Sequence, residues 1–322
     1  MQRELVLETD RPLADALTAA FEAMISEARG QARRAIEAPA EAMHDYRRAL
    51  RRAEAVLELA WSMSRKVPRR WLASSLGRAR RRTRIARDLD AALPVVDRLA
   101  ELGLLEATDP TLGAVRAWLE QCRAELASDE IVAWRLRKNA RALAGLPEIF
   151  AAAIHAWVDV DIALGELRQS YRDARKRLAR ATASGANDDV HAFRRAVRRL
   201  RYQLELFASA RPAEGGAAPA WLPAVTAMHA EVKALARELG QFTDLVALRA
   251  IVDEAGDQVE HADVGFDPER LAAILGELAE GRRDSALVDA ARLFAPPPKR
   301  VLVPVEPPEA GVEVATHASA SD

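Results

Sequence analysis

Apolar residues recur along this chain three and four positions apart, in long runs interrupted by prolines and glycines. That spacing predicts helices near 11–36, 41–64, 69–104, 110–144, 147–183, 188–209, 219–256 and 268–294. Ala, Leu, Arg and Glu fill these segments, and all are strong helix formers. The β-branched alternation that marks a strand is absent until Val301-Leu302-Val303. The breaks carry helix-start chemistry. Asp10-Arg11-Pro12 and Asn187-Asp188-Asp189 offer caps, and Asp109-Pro110 and Asp267-Pro268 each look like the start of a late helix. Residues 211–220 predict a loop, and the Pro/Glu/Ala-rich stretch after Ala295 predicts a disordered tail.

The pattern occurs twice. Met43-His-Asp-Tyr-Arg-Arg-Ala-Leu-Arg-Arg52 aligns without a gap with Val190-His-Ala-Phe-Arg-Arg-Ala-Val-Arg-Arg199. Upstream, Arg29 and Arg33 stand as far before His44 as Lys176 and Arg180 stand before His191. A repeat of about half the chain is a duplicated four-helix unit, not a short-period solenoid. The predicted fold is therefore all-α, with a first half over residues 1–146, a second over 147–295 and a tail over 296–322.

On a helical wheel at about 100° per residue, each copy divides cleanly. Tyr46, Leu50, Ala53 and Leu57 share one side, while His44, Arg47, Arg48, Arg51 and Arg52 share the other. The second copy sets Phe193, Val197, Leu200 and Leu204 against His191, Arg194, Arg195, Arg198 and Arg199. Like charges three and four residues apart repel, and a merely solvated face would mix signs. Two turns of arginine without central acids therefore predict an anion-binding face. Arg29, Arg33, Arg34, Arg172, Lys176 and Arg180 could flank it, and the run from Arg78 to Arg87 adds a third basic segment.

Composition sharpens this reading. The net charge of −1 conceals segregation, because residues 29–98 hold eighteen Arg or Lys against eight Asp or Glu. Only five of the 47 basic residues are lysine, and arginine's planar fork makes the better phosphate ligand. A histidine beside phosphate tends to be protonated. No carboxylate or cysteine stands at ligand spacing from either repeat histidine, so neither a metal nor a cofactor is expected. His155, His229, His261 and His317 read as incidental. Cys122 reads as a small buried residue, and the six tryptophans read as core or interface residues. Phosphate loops, His-Glu-x-x-His pairs and Gly-x-Ser-x-Gly elbows are absent. The apolar runs are too short to span a bilayer, the start lacks a signal-peptide core and a lone cysteine fits a reducing compartment. A cytoplasmic protein without membrane contact is expected.

The paired His-x-x-Arg-x-x-x-Arg-Arg helices, duplicated in an all-helical setting, resemble the CHAD domain, the conserved histidine α-helical domain. Residues 188–207 resemble its second repeat. Leu239-Gly240-Gln-Phe-Thr243-Asp244 resembles its Leu-Gly-x-x-Arg-Asp element, with threonine in place of arginine, and Arg87-Asp88-Leu89-Asp90 resembles the first-half counterpart without the Leu-Gly. The resemblance covers about residues 10–295. It implies two four-helix bundles related by pseudo-twofold symmetry around a basic channel or cleft, and binding of inorganic polyphosphate with targeting to polyphosphate granules. The ligand-facing positions it implies are His44, Arg47, Arg51, His191, Arg194 and Arg198. Arg48, Arg52, Arg195, Arg199, Arg29, Arg33, Lys176 and Arg180 are supporting candidates. Many members carry an N-terminal triphosphate-processing domain for which this chain has no room, which argues against phosphohydrolase activity.

Three functions compete for the basic faces. The first is polyphosphate binding without chemistry, driven by counterion release and arginine forks. The second is RNA or DNA binding, which needs stacking groups; Tyr202 is the one aromatic on either stripe. The third, an enzyme acting on phosphate esters or polyphosphate, needs carboxylates among the arginines.

Overall fold

The structure, a computed structural model, describes residues 7–8, 11–35, 39–81, 83–106, 108–128, 130–211, 216–258, 267–298 and 301. The described residues are helical almost throughout. A two-residue strand, β1 (Leu7–Glu8), leads into α1 (Leu13–Arg34), α2 (Pro39–Leu59), α3 (Lys66–Arg81), α4 (Arg84–Glu101), α5 (Pro110–Ser128) and α6 (Glu130–Ala142). Then follow α7 (Leu146–Ala153), α8 (Val160–Ser184), α9 (Asn187–Ala208), β2 (Ala210–Arg211), α10 (Leu222–Gln258) and α11 (Pro268–Leu293). No described helix is long and apolar enough to cross a membrane.

The apolar faces predicted for α2 and α9 are the buried ones. Tyr46, Leu50, Ala53 and Leu57, with Phe193, Val197, Leu200 and Leu204, are at most 1% exposed. Each large side chain so buried contributes about 1.5–3 kcal/mol. α1 lies along α2 and α8 lies along α9, while α10 packs on both α9 and α11. Across the halves, α2 packs on α9 and α4 on α10. The two late helix starts also meet: the Asp267 amide donates to Thr111 Oγ1 at 3.0 Å, and Arg270 lies 3.7 Å from Asp109.

Three predicted helices are divided. The 69–104 segment becomes α3 and α4, interrupted before Thr83, whose hydroxyl donates to the Arg80 carbonyl at 3.0 Å. The 110–144 segment becomes α5 and α6. The 147–183 segment becomes α7 and α8, because Ile154 turns extended and Asp159 caps α8 by accepting from the Ile162 amide at 2.8 Å. The extended piece pairs antiparallel with the α2–α3 turn at Ser64, the His155 amide donating to the Met63 carbonyl and the Arg65 amide to the Ala153 carbonyl. Gly185, at φ +62°, closes α8 in the left-handed region open to glycine.

The caps differ too. α1 starts after Pro12, and Asp10 lies outside the described residues. α9 starts after Ala186, so Asn187, Asp188 and Asp189 form its first turn, where the acids complement the helix dipole. β1 and β2 form a parallel pair that the sequence does not announce. Residues 296–298 and 301, within the predicted tail, are placed against the second half. Tyr171 donates to the carbonyls of Leu293 (3.2 Å) and Pro296 (3.0 Å), Phe294 is buried and Arg168 Nε holds the Val301 carbonyl at 3.3 Å. Val301 is therefore a docked turn, while Leu302, Val303 and the rest of the tail lie outside the described residues. The tryptophans are less buried than expected, with Trp71, Trp134 and Trp157 exposed. Two of these rings have polar neighbours, Lys138 sitting over Trp134 and His155 stacking on Trp157.

Candidate functional site

The basic stripes are largely drawn into the molecule, with His44 and Arg195 left exposed. Because α2 packs on α9, the stripes of the two halves meet inside the molecule. Two cavities open along the meeting line. The larger, about 500 Å³, takes His44, Arg47 and Arg51 from α2, and Arg194 from α9. Its other cations are Arg98 of α4, Arg237 of α10 and Arg282 of α11. The smaller, about 250 Å³, is lined by Arg51, Arg80, Arg177, Arg195, Arg198 and Arg199. Glu54, Glu58 and Tyr202 share its wall. Arg51 lines both cavities, which adjoin at its side chain.

The centre of this arrangement is crowded with like charge. Burial, and then the positive charges of Arg51 and Arg194, press the Arg198 guanidinium well below its ordinary pKa. An anion entering here would relieve that penalty, since a nearby negative charge favours the protonated form. Arg194, only 8% exposed, lies against α10 with a guanidinium nitrogen 3.7 Å from where a β-carbon on Gly240 would stand. Gly240, Gln241, Asp244 and Leu245 all line the large cavity. This places the Leu-Gly-x-x-Thr-Asp element at the site. Thr243, in the arginine position of the family pattern, is buried and donates to the Leu239 carbonyl at 2.9 Å. In the first half Leu89 is buried, and the side chains of Arg87, Asp88 and Asp90 lie outside the described residues.

The remaining candidates separate by their partners. Arg47 lines the large cavity but spends Nη1 on the Arg80 carbonyl (2.7 Å) and Thr83 hydroxyl (2.9 Å), clamping the α3–α4 turn. Arg48 pairs with Asp45 at 3.0 Å. Arg52 bridges Glu205 of α9 and, at 3.9 Å, Glu27 of α1. Arg199 bridges Glu58 of α2 at 2.7 Å and Asp173 of α8 at 3.5 Å. Arg52 and Arg199 occupy equivalent repeat positions, as do Glu58 and Glu205, so the two pairs are reciprocal ties across the α2–α9 interface. Arg195 is exposed at the small cavity. His191 is half-buried and lines neither cavity.

The upstream bases also stand apart from both cavities. Arg29 Nε donates to the Ala140 carbonyl at the end of α6 (3.2 Å), and Arg33, Lys176 and Arg180 are exposed. Arg177, next to Lys176, is the α8 base that reaches the small cavity. Arg98, Arg237, Arg282, Arg80 and Arg177 are site residues that the repeat pattern does not single out. Arg80 falls in the basic run from Arg78 to Arg87, whereas the neighbours of the other four are of mixed sign, as in Asp97-Arg98 and Arg237-Glu238, so no one-signed stripe marks them. Tyr202 is 6% exposed, with Arg201 over its ring at 5.0 Å. Cys122 is half-buried, and burial followed by the charges of Glu125 and Glu254 pushes its thiol pKa up. Among the described residues, no three His, Cys, Asp or Glu cluster as a metal site.

Three comparisons bear on this geometry. The sequence matches the family model described as the CHAD domain over residues 15–253. The structure is similar to the crystal structure of the CHAD domain from the plant Ricinus communis, with a TM-score of 0.52, 20% sequence identity and 92% of each chain covered. No curated protein matches the sequence. The family model ends inside α10, whereas the structural likeness extends over most of the chain, α11 being the helix that brings Leu278 and Arg282 to the large cavity.

Proposed function

Given that this chain belongs to the CHAD domain family, we propose that it binds inorganic polyphosphate along the line where α2 meets α9. The observation that carries the reading is the crowding of Arg51, Arg194 and Arg198, with Arg198 held well below its ordinary pKa by burial and then by the other two. Guanidinium groups gathered at one place cost stability unless a multivalent anion joins them, and arginine forks match phosphate oxygens. Arg98, Arg237 and Arg282 extend the track into the large cavity, and Arg177 and Arg195 extend it into the small one.

The proposed role is non-catalytic: binding in the cytoplasm, with recruitment to polyphosphate granules. Glu54 and Glu58, the small cavity's carboxylates, are engaged by Arg80 (3.2 Å) and Arg199 (2.7 Å). That use suits holding helices in register better than general-base work. Nucleic-acid binding is the weaker reading, because Tyr202 is buried and offers little face for a base.

The test is competition between long-chain polyphosphate and single-stranded RNA at physiological salt. Polyphosphate should displace RNA at far lower phosphate concentration, and its chain length should be unchanged after incubation with divalent cations. RNA winning would establish the nucleic-acid reading. Chain shortening would establish an enzyme.

A further inference from the structure

The large cavity has a second face that inorganic polyphosphate does not need. Along α4 an apolar stripe runs from Ala91 through Val95 and Leu99 to Leu102, and Leu245 and Leu278 join the same lining. These positions recur at helical spacing. At 1.5 Å per residue the stripe is about 16 Å long. Leu102 is 56% exposed at one end of it, and Val95 and Leu278 are only half-buried. A chain of phosphates laid beside these side chains would lose hydration of its oxygens and receive nothing in return.

A volume of about 500 Å³ is that of a small organic ligand's pocket. Its described lining combines cations, Gln241 and Asp244 with aliphatic side chains and contains no Phe, Tyr or Trp. A nucleobase would find only the His44 ring and guanidinium planes to stack on. A linear hydrocarbon would bury its length against leucine and valine while an attached phosphate met the arginines.

We propose that this cavity accepts a phosphate or diphosphate ester of a single aliphatic chain, its head among Arg51, Arg194 and Arg237 and its chain along α4. The inference rests on the reading of the arginines as phosphate ligands and adds the chemical class of a second ligand. Such a ligand overlaps the polyphosphate track at Arg51 and Arg194, so the two compete for the same head-group contacts.

The test is calorimetry on the full chain with inorganic phosphate, butyl, hexyl and octyl phosphate below their micelle concentrations, and 1-octanol. Each methylene buried adds about threefold to fourfold in affinity, so octyl phosphate should exceed butyl phosphate by at least about thirtyfold. Octanol should bind at least tenfold more weakly than octyl phosphate, for want of the arginine contacts. Leu102→Asn, at an exposed helix end, and Leu278→Asn, both uncharged, should each flatten the dependence on alkyl length while leaving long-chain polyphosphate binding in place. Equal affinity for butyl and octyl phosphate, octanol matching octyl phosphate, or alkyl increments that survive both substitutions would overturn the proposal. Polyphosphate failing to bind while the alkyl series behaves as expected would instead overturn the polyphosphate reading alone.

Discussion

Replacing Arg52 by methionine separates scaffold from site. Its side chain is 12% exposed between Glu27 at 6% and Glu205 at 20%. Both Glu27 carboxylate oxygens are buried without a hydrogen bond among the described residues. Burial first, opposed by Arg52 and Arg48, already raises the Glu27 pKa. Removing one partner of a buried pair costs about 3–5 kcal/mol. Glu205 can recover some water, so about 2–3 kcal/mol is expected here. For a chain of this size that corresponds to a fall in Tm of about 3–5 °C. The loss has a pH signature. With Arg52 gone the folded-state pKa of Glu27 rises further above its unfolded value, so stability is fullest near the ordinary glutamate range and falls as pH rises through the raised value. The Tm deficit of Arg52→Met should therefore shrink between pH 7 and pH 5. Polyphosphate affinity of the folded variant should stay within about threefold of wild type, since a charge outside the cavities adds only weak, screened attraction. The assays are scanning calorimetry across pH and a binding titration well below the melting temperature. An unchanged Tm with binding abolished would refute the reasoning and return Arg52 to the ligand.

Arg198→Met should do the reverse, weakening polyphosphate binding at least tenfold while Tm holds or rises, because it removes a cation that burial, Arg51 and Arg194 disfavour; a large fall in Tm would make that arginine structural. Leu50→Asp puts a charge at a fully buried position and should cost about 4 kcal/mol or more, read as lost helicity by circular dichroism. Polyphosphate affinity should fall steeply with salt, with a log–log slope of several units if about six phosphates are neutralised, and a flat response would point to a pocket that does not work by counterion release.

Much of this design is legible in the chain because two physical signals coincide. Helical periodicity sets Leu50 and Val197 on buried faces, and duplication sets Arg51 and Arg198 at equivalent places on the opposite ones. Periodicity is blind to which helix covers a face. The resemblance implies a channel or cleft between the stripes, and α2 does lie on α9; that contact sets Arg51 and Arg194 in the cavities and ties Arg52 and Arg199, the latter on the small cavity's wall, into ion pairs. Glu58 and Glu205 each stand fourteen residues after the repeat histidine, which at about 100° per residue returns them to the stripe side. The pairing was thus encoded, but only packing shows which acid meets which arginine. Arg237 and Arg282 were hidden for another reason: α10 and α11 intersperse acids and bases, and only the packing of α10 on α4, α9 and α11 brings these two exposed arginines to the cavity rim.

The claim that the two stripes make one site is tested most directly by titrating tripolyphosphate and medium and long polyphosphate chains into three proteins. These are wild type, Arg98→Gln/Arg237→Gln in the large cavity, and Arg177→Gln/Arg195→Gln in the small one. If Arg51 joins the cavities into one track, affinity rises with chain length to a plateau, on the order of 10²-fold above tripolyphosphate. Either double variant should then lose most of that gain at unchanged stoichiometry. Equal affinity for short and long chains, or variants that each lose half the stoichiometry at unchanged affinity, would mean two independent sites and contradict the account.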